Sequence, residues 1–356
     1  MALPHMNDAV TASRLLVGLV AALALGACAT DDALDEETRA LDDTVTVDTS
    51  TARARAQYDA EVAFATHYTP SCTTPAHGRP RVLVSGFGRF RDVLDNASGR
   101  IVASLGGFAY PETTPPKAGK IDPPGPQLAV DARVLTLPGA GEVDLCAIVL
   151  PVVWDLAPIL LLKELEAFQP DLVIMNGVAD PTQPLWIELG AINQAVRLDD
   201  GTGVLEPATN AIIAGAAHTR KNLLSWDAVR AAARRSRNET AADDAGFGDI
   251  LTGVKEQAPR VSSSYLCNNL TYVTGYLMDA AAGTKVPLLV ASDPVAGETN
   301  KVVMTLDRRY KTTPRVFFHW PTKLTSAHGI KGGVALLREV IDAQLTTAAP
   351  PTRGEF

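Results

Sequence analysis

A strand, helix and strand in the middle of the chain restrict its fold more than any other feature. Leu145 to Val153 and Asp171 to Asn176 are short apolar runs that are typical of buried strands. Between them, Asp155 can cap a helix that runs to about Phe168, and Gln169-Pro170 stops that helix. Two strands joined in this way lie parallel, with a right-handed crossover. The order therefore predicts an α/β layer architecture.

Further apolar runs extend this pattern on both sides. The strands predicted there are Arg81 to Ser85, directly before Gly86, and Arg315 to His319. The predicted helices are residues 51–67, 225–235, 268–281 and 332–345. The chain shows no internal repeat.

The first 28 residues have the pattern of an export signal. Arg14 precedes an apolar run, Leu15 to Leu25, that is too short for a permanent membrane anchor. The run ends in Leu25-Gly26-Ala27-Cys28, which resembles the bacterial lipobox, in which the cysteine thiol receives diacylglycerol. We therefore expect lipidation at Cys28 and a place in the bacterial cell envelope, periplasmic or at the cell surface. An ordinary secretory signal that happens to contain a cysteine is the alternative.

Charge divides the rest of the chain. Between Cys28 and Ser50 there are eight acidic residues against Arg39 alone, whereas the whole chain has a formal net charge of −8. This predicts an acidic tether and Pro-containing linker over residues 29–78, a catalytic domain over 79–347 and a tail over 348–356. No run of Lys or Arg could neutralise phosphates, which disfavours nucleic-acid binding.

Cys267 is the residue best suited to be a nucleophile. It lies in the sequence Tyr265-Leu266-Cys267-Asn268-Asn269, where a helix is predicted to begin. Unpaired N–H groups at the start of a helix stabilise a thiolate and can also hold an oxyanion. A buried structural cysteine is the alternative.

His319 and Glu188 are the candidate partners of this thiol. His319 follows the predicted strand Val316 to Phe318, so it lies where parallel strands deliver side chains to the carboxyl edge of a sheet. Glu188 stands among apolar neighbours, where a carboxylate needs a hydrogen-bond donor such as an imidazole. Taken singly, each could also be a structural residue.

Read together, these motifs resemble the pyroglutamyl peptidase I family of cysteine peptidases in order and local sequence across residues 81–346. The Gly177 to Glu188 separation of eleven residues also agrees with that family. The remaining matches are Gly86-Phe87-x-x-Phe90, Asn96-x-Ser98, Leu150-Pro151-x-x-Trp154, Gln169-Pro170-Asp171, Ala191-Ile192-Asn193, Tyr265-x-Cys267-Asn268 with Tyr272, and Phe317-x-His319-x-Pro321.

The resemblance implies a three-layer αβα sandwich with a mixed, mainly parallel central sheet. It implies that Cys267, His319 and Glu188 form a catalytic triad that cleaves the amide bond after an N-terminal pyroglutamyl residue, without a metal or other cofactor. The substrate would be a peptide with a blocked N-terminus. Aromatic rings hold the lactam ring in the family, a role that Phe87, Phe90 and Tyr265 could inherit together with Asn96 as a further substrate-binding residue. Core packing remains the alternative for the phenylalanines.

The chain departs from the family in three ways, the first of which leaves the specificity open. The family has a polar Gln and an Arg after its fourth strand, where this chain has Val178 and Thr182. Arg89 replaces a usual Pro, and the 52 residues from Cys267 to His319 predict an inserted lid or edge element around 291–313. A thiol amidase with another N-terminal specificity and a catalytically silent binding module are therefore the alternatives.

Two questions about the assembly stay open. In an oxidising compartment, a disulfide between Cys72 and Cys146 would leave Cys267 free, but the sequence does not decide whether it forms. It leaves the oligomeric state open as well.

Overall fold

The computed structural model describes residues 45–75, 78–90, 93–111, 114–117, 119–179, 184–208, 211–243, 245–260 and 265–356. The expected signal, residues 1–28, and the first part of the expected tether, residues 29–44, lie outside the described residues. Within them, no helix is both long and apolar enough to cross a membrane.

Seven helices and thirteen strands are described, in this chain order. They are α1 (Ala52–His67), β1 (Arg81–Phe87), α2 (Ala97–Gly106), a 3-10 turn (Gly125–Gln127), β2 (Ala129–Leu137), β3 (Gly141–Leu150), α3 (Leu156–Phe168), β4 (Leu172–Ala179), β5 (Leu185–Glu188), β6 (Gly190–Ile192), β7 (Thr219–Lys221), β8 (Leu223–Leu224), α4 (Trp226–Asp243), α5 (Ala245–Ile250), β9 (Val254–Gln257), α6 (Leu266–Asp279), β10 (Val286–Leu288), β11 (Val302–Met304), β12 (Arg315–Pro321), α7 (Ala327–Thr346) and β13 (Thr352–Arg353).

The central sheet is mixed and mainly parallel in its middle. Its strand order is β13, β8, β12, β4, β1, β3, β2. The four strands β12, β4, β1 and β3 are parallel to one another, whereas β2 and β8 run antiparallel to their neighbours β3 and β12. Strand β5 pairs antiparallel with the carboxyl half of β12, and β9 pairs parallel with β5. This arrangement confirms the predicted fold class.

Helices cover both faces of the sheet because side chains alternate along its strands. In β1, Leu83 and Phe87 face a core shared with α1, α3 and α6, whereas Val82 and Val84 face a core shared with α2, α4, α5 and α7. The sheet is therefore the middle layer of three. We call the face that carries α1, α3 and α6 the α6 face.

The helix between β3 and β4 spans Leu156–Phe168, as predicted, but the predicted capping bond from the Asp155 side chain is not formed. Asp155 has a left-handed backbone with φ of 57° and makes no side-chain cap bond to α3. Its carboxylate instead accepts hydrogen bonds from Asn269 Nδ2 and from the Leu289 amide, both at 2.9 Å. The aspartate is used for a contact between distant segments, which no local pattern reveals.

The predicted domain start near Arg79 also needs correction. Residues 45–75 are not a linker, because Val47, Tyr58 and Ala65 are buried in the core of the α6 face. The backbone of Val47 bridges Pro207 and Ala291, and Tyr58 donates a hydrogen bond to Leu289 O at 2.7 Å. The described part of the expected tether therefore belongs to the folded domain.

A disulfide bond between Cys72 and Cys146 ties this N-terminal segment to the middle of β3. Their Cα atoms are 5.9 Å apart and both residues are fully buried. Glu164 of α3 lies beside them, and these three residues are the group of potential metal ligands found within the described ranges. Since the two sulfurs are bonded to each other, the group acts as a covalent link here.

The C-terminal residues are also part of the sheet rather than a free tail. Strand β13 pairs with β8, and Arg353 Nη2 donates to Asp279 at 2.6 Å. The Gly354 amide donates to Asn222 O at 3.0 Å. The predicted insertion contributes β11, which pairs with β10 in a two-stranded sheet separate from the central one.

Candidate active site

Cys267 lies in the first turn of α6, which begins directly after Tyr265. Its thiol is free and partly exposed. The Asn269 amide already donates to Tyr265 O at 2.9 Å, whereas the amides before it in the first turn have no intrahelical acceptor. The positive end of the helix dipole and these N–H groups are therefore available to an anionic group beside the thiol.

His319 projects from β12 onto the α6 face of the sheet. It is paired with Gly177 of β4 on one side and with Trp186 of β5 on the other. Its imidazole is 8% exposed and lies edge-on to the ring of Phe317, with 4.7 Å between the ring centres. Neighbours on both sides thus fix the plane of the imidazole.

Glu188 is the last residue of β5 and supplies the partner of this imidazole. It is paired with Phe317, so its side chain lies on the same face as His319. Glu188 Oε1 is 2.6 Å from His319 Nδ1, and the carboxylate is 5% exposed. Since an ionised carboxylate only accepts hydrogen bonds, Nδ1 carries the proton and Nε2 is left for the thiol.

The imidazole interacts with the thiol as well as with the carboxylate. Burial lowers the pKa of His319, but the charge of Cys267 and its hydrogen bond outweigh burial, and those of Glu188 add to them. The pKa of His319 therefore lies well above its ordinary value of 6.5. A raised imidazole pKa beside a cysteine favours a thiolate and imidazolium pair.

Gly177 makes room for the sulfur. A Cβ at this position would lie 2.7 Å from Cys267 Sγ and 2.7 Å from the Phe317 ring. Contacts this short between unbonded heavy atoms do not occur without movement of one partner. A glycine on β4 is thus a geometric requirement for placing the thiol beside His319.

Asn222 fixes the backbone that carries Glu188, and no sequence motif pointed to this residue. Its side-chain nitrogen donates to Glu188 O at 2.8 Å, and its backbone amide donates to Leu189 O at 2.9 Å. The Leu189 amide in turn donates to Gln257 O at 2.8 Å. Asn222 is buried, so these bonds are shielded from water.

Two asparagines after Cys267 hold the start of α6. Asn268 donates to Ile192 O at 2.9 Å and accepts from the Ile192 amide at 2.9 Å. Asn269 donates to Asp155 Oδ1 at 2.9 Å. These bonds fasten the first turn of the helix to β6 and to the start of α3, which limits how far the thiol can move.

A small cleft opens beside the three residues. Besides Glu188, Cys267 and His319, it is lined by Gly190, Pro259, Arg260, Asn268, Thr271 and Phe317. The three groups singled out from the sequence therefore lie at one accessible place, although they are up to 131 residues apart in the chain.

The predicted aromatic residues separate into two groups. Phe90 and Tyr265 pack with ring centres 5.6 Å apart, and Trp154 lies edge-on to Tyr265 at 5.5 Å. We call Phe90, Trp154 and Tyr265 the aromatic wall. Trp154 matched a family motif but was not predicted as a site residue. Phe87 is 3% exposed and belongs to the core, which is the alternative that the sequence left open.

Asn96 occupies a structural position. It is the N-cap of α2, where its side-chain oxygen accepts from the Ser98 amide at 3.1 Å and from the Ser98 hydroxyl at 2.8 Å. The residue is 1% exposed. Its predicted contact with a substrate stays a prediction.

Val178 departs from the family pattern. It is partly buried and packs with the core on the face of the sheet opposite α6. Thr182 and the expected lipidation site, Cys28, lie outside the described residues.

Comparisons with known proteins return structures only. No protein-family model matches the sequence, and no curated protein is significantly similar to it. The chain is similar to pyroglutamyl peptidase I from Bacillus amyloliquefaciens, at 17% identity over 76% of this chain and 98% of that one, with a TM-score of 0.46. The pyrrolidone carboxyl peptidase from Thermococcus litoralis matches at 18% identity over 75% of this chain and 93% of that one, with a TM-score of 0.47.

A pyrrolidone carboxyl peptidase from Pyrococcus furiosus matches at 18% identity over 74% of this chain and 98% of that one, with a TM-score of 0.46. These proteins belong to the family that the sequence motifs resemble. At such low identity and score, their activity does not transfer to this chain, and the geometry of its own residues has to carry a functional proposal.

Proposed function

We propose that the chain is a cysteine peptidase that removes an N-terminal pyroglutamyl residue from peptides. The observation that carries the proposal is the ordered contact from Glu188 to His319 to Cys267, with 2.6 Å between Glu188 Oε1 and His319 Nδ1. A thiol at a helix N-terminus, an oriented imidazole and a buried carboxylate are the parts of a thiol hydrolase.

The chemistry follows from the position of each group. The Cys267 thiolate attacks the carbonyl carbon of the substrate amide, and the first-turn amides of α6 hold the negative oxygen that forms. His319 then gives its proton to the leaving amine, so the C–N bond breaks and a thioester remains on Cys267. His319 next takes a proton from water, which attacks the thioester and releases the acid and the thiolate. Glu188 holds the tautomer of His319 throughout.

Phe90 and Tyr265 of the aromatic wall support the choice of a flat, uncharged ring as the recognised group, whereas Trp154 is buried and packs edge-on against Tyr265. Faces of Phe90 and Tyr265 can stack on a lactam without the need for a charge. A blocked N-terminus carries no ammonium group, so it suits an apolar wall better than a free N-terminus does.

Hydrolysis of pyroglutamyl-aminomethylcoumarin by the purified protein tests this proposal. We expect turnover by the wild type and a fall of about 10⁴-fold or more in Cys267→Ala, with an unchanged circular dichroism spectrum. Absence of turnover by the wild type would contradict the proposal if the rapid reaction of Cys267 with iodoacetamide, described in the Discussion, shows that the thiol is active.

A thiol amidase for a different blocked N-terminus is the second candidate. It is favoured by Val178, which carries no polar group and packs on the face away from α6, and by the buried, capping position of Asn96. A panel of N-acetyl, N-formyl and free-amine aminomethylcoumarin substrates separates the two candidates. Turnover of one of these together with none of the pyroglutamyl substrate would favour the amidase.

We further propose that the protein is exported and held at the cell envelope by a lipid on Cys28. The disulfide between Cys72 and Cys146 supports an oxidising compartment, because such bonds are rare in reducing cytoplasm. Labelling with an alkyne fatty acid should mark the wild type and not Cys28→Ala, and only the wild type should sediment with membranes. A soluble, unlabelled wild type would contradict this.

A further inference from the structure

Gln57 of α1 is fully buried and binds the backbone of a distant residue, Asp122. Its side-chain oxygen accepts a hydrogen bond from the Asp122 amide at 2.7 Å, and its side-chain nitrogen donates to Asp122 O at 2.8 Å. The same nitrogen donates to Glu61 Oε1 at 2.8 Å, which fixes the orientation of the amide group. One glutamine therefore satisfies both backbone polar groups of Asp122, which would be costly to bury without partners.

Asp122 in turn forms an ion pair with Arg89. The Nη2 atom of Arg89 contacts both carboxylate oxygens of Asp122, one of them at 2.5 Å. Both side chains are buried, with 4% of Arg89 and 6% of Asp122 exposed. Since separation of the two would leave each buried charge uncompensated, the ion pair restricts where residue 89 can lie.

Arg89 lies in the turn that carries Phe90 of the aromatic wall. The Gly88 amide donates to Leu150 O at 2.8 Å. The Phe90 amide donates to Val93 O at 2.9 Å. The ion pair of Arg89 is thus a further attachment of this turn, and it connects the turn to α1.

The N-terminal segment holds the other side of the aromatic wall through separate contacts. Residues 46–48 form two backbone hydrogen bonds with residues 206–208, at 2.8 and 2.6 Å. Earlier in the same loop, Asp199 O accepts a hydrogen bond from the Tyr265 hydroxyl. Phe90 and Tyr265 are therefore both connected to residues that come before β1, through different sets of contacts.

We propose that Gln57 is a positioning residue for substrate binding, which acts through Asp122 and Arg89 to fix Phe90 against the ring of the substrate. The inference rests on the proposed function. Helix α1 lies before residues 81–346, over which the sequence resembles a known family, and Arg89 stands where that family usually has Pro. A proline could not bind Asp122, so the additional helix and the arginine belong to one arrangement.

The test compares the wild type with Gln57→Met, which keeps the length of the side chain but forms neither hydrogen bond to Asp122. We expect KM for pyroglutamyl-aminomethylcoumarin to rise by about five- to tenfold, while kcat stays within about twofold of the wild type. The reason is that a displaced Phe90 weakens binding of the substrate ring in the ground state and in the transition state alike. An unchanged KM in the folded variant would overturn the proposal.

Gln344→Met is the matched control. Gln344 of α7 is also buried, accepts a hydrogen bond from the Ser225 amide at 2.9 Å and donates to the Ser225 hydroxyl at 3.1 Å. This variant loses comparable hydrogen bonds on the other face of the sheet, so its KM should stay within about twofold of the wild type. Alkylation of Cys267 should proceed at the wild-type rate in both variants. An equal rise of KM in both would assign the effect to lost stability and overturn the proposal.

A second variant removes the ion pair instead of the glutamine. Arg89→Met combined with Asp122→Asn eliminates both charges, so neither is left buried without a partner. It should show the same rise in KM with little change in kcat. This double variant replaces Gln57→Met if the latter does not fold.

Hydrogen exchange measured by mass spectrometry needs no turnover. In Gln57→Met, the amides of residues 88–90 should exchange about fivefold faster than in the wild type, because their turn has lost one attachment. Residues 198–208 should exchange at the wild-type rate, since their contacts with residues 46–48 do not include Gln57. Unchanged exchange at residues 88–90, or equally faster exchange in both segments, would contradict the proposal.

The two measurements separate failure of this inference from failure of the proposed function. If the wild type turns over no pyroglutamyl substrate, the proposed function fails, and hydrogen exchange alone decides whether Gln57 positions the Phe90 turn. If the wild type does turn over this substrate, KM of Gln57→Met decides whether that position matters for binding.

Discussion

The two ends of helix α6 are built for opposite purposes. At its start, Cys267 is partly exposed and has an imidazole beside it. At its end, Asp279 accepts hydrogen bonds from Arg220, Arg315 and Arg353 at distances between 2.5 and 3.2 Å. The first end keeps a reactive group in contact with solvent, whereas the second joins four segments in a partly buried cluster.

The electrostatics of the two ends explains this division. A carboxylate at a helix C-terminus is repelled by the dipole, so Asp279 is unfavourable without its arginines. Burial raises the pKa of Asp279, but the charges of Arg315 and Arg353 outweigh it, and the pKa stays below its ordinary value. Burial lowers the pKa of Arg315 to about 10 despite this carboxylate. The cluster is costly to bury and depends on having all its members.

The comparison predicts that substitutions around the start of α6 abolish catalysis, whereas substitutions at its end destabilise the fold. The largest expected effect is at the first end. In Glu188→Gln, the carboxylate that orients His319 and stabilises its charge is lost, so kcat should fall by roughly 10³- to 10⁴-fold. The measurement is hydrolysis of pyroglutamyl-aminomethylcoumarin, together with a melting curve that changes little.

Glu256→Gln is the control for this variant. Glu256 lies on the adjacent strand β9 and forms a partly exposed ion pair with Arg230. Its kcat should stay within about twofold of the wild type, because weak surface pairs contribute little. A Glu188→Gln variant with the same small change would show that His319 is not held by this carboxylate.

The second prediction concerns the other end of the helix. Asp279→Ala leaves three arginines without their shared partner, and Arg315 is 0% exposed. The free energy of unfolding should fall by about 3 to 5 kcal/mol, the typical result of breaking a buried ion pair. Urea denaturation measures this loss.

The matched control is Glu339→Ala, which removes an exposed ion pair with Arg235 and should cost about 1 kcal/mol or less. At low temperature, the Asp279→Ala molecules that remain folded should have a kcat within about threefold of the wild-type value. A large loss of kcat with normal stability would remove the distinction between the two ends.

The smallest of these effects is expected at Gly177, which tests how closely the first end is packed. In Gly177→Ala, the new methyl group would lie 2.7 Å from Cys267 Sγ, so the sulfur or the strand has to move. Overpacking costs about 1 to 3 kcal/mol. If this cost raises the activation free energy of the reaction, kcat falls by roughly five- to 150-fold.

Gly253→Ala is the control, because a Cβ there meets nothing within 4 Å. It should leave both kcat and stability unchanged. Equal kcat values for Gly177→Ala and Gly253→Ala would show that the Cys267 sulfur is not packed closely against residue 177.

Much of the fold was predictable from local sequence, because the central strands are buried on both faces and appear as uninterrupted apolar runs. The triad was predictable only through its motifs, since Glu188 and His319 each look like structural residues on their own. The polar residues that connect distant segments were not predictable. Asn222, Asp279 and the true partners of Asp155 all act across long separations in sequence.

The error in the domain boundary has a related cause. The acidic composition of residues 29–50 masked the buried pattern of residues 45–75, in which only scattered positions such as Val47 and Tyr58 reach the core. Even Glu61, a charged residue that sequence reasoning assigns to the surface, is 0% exposed. The core of the α6 face is completed by a segment whose composition is typical of a solvated linker.

The central claim is that His319, held by Glu188, lies beside Cys267 and activates its thiol as a nucleophile. Its most direct test is the rate of alkylation of Cys267 by iodoacetamide as a function of pH, in the wild type and in His319→Ala, with peptide mapping to separate Cys267 from Cys28. At pH 6 the wild type should react about a hundredfold faster than the variant, whose rate should rise only as an ordinary thiol ionises near pH 8.5. Equal, slow rates with the same pH dependence in both proteins would contradict the account.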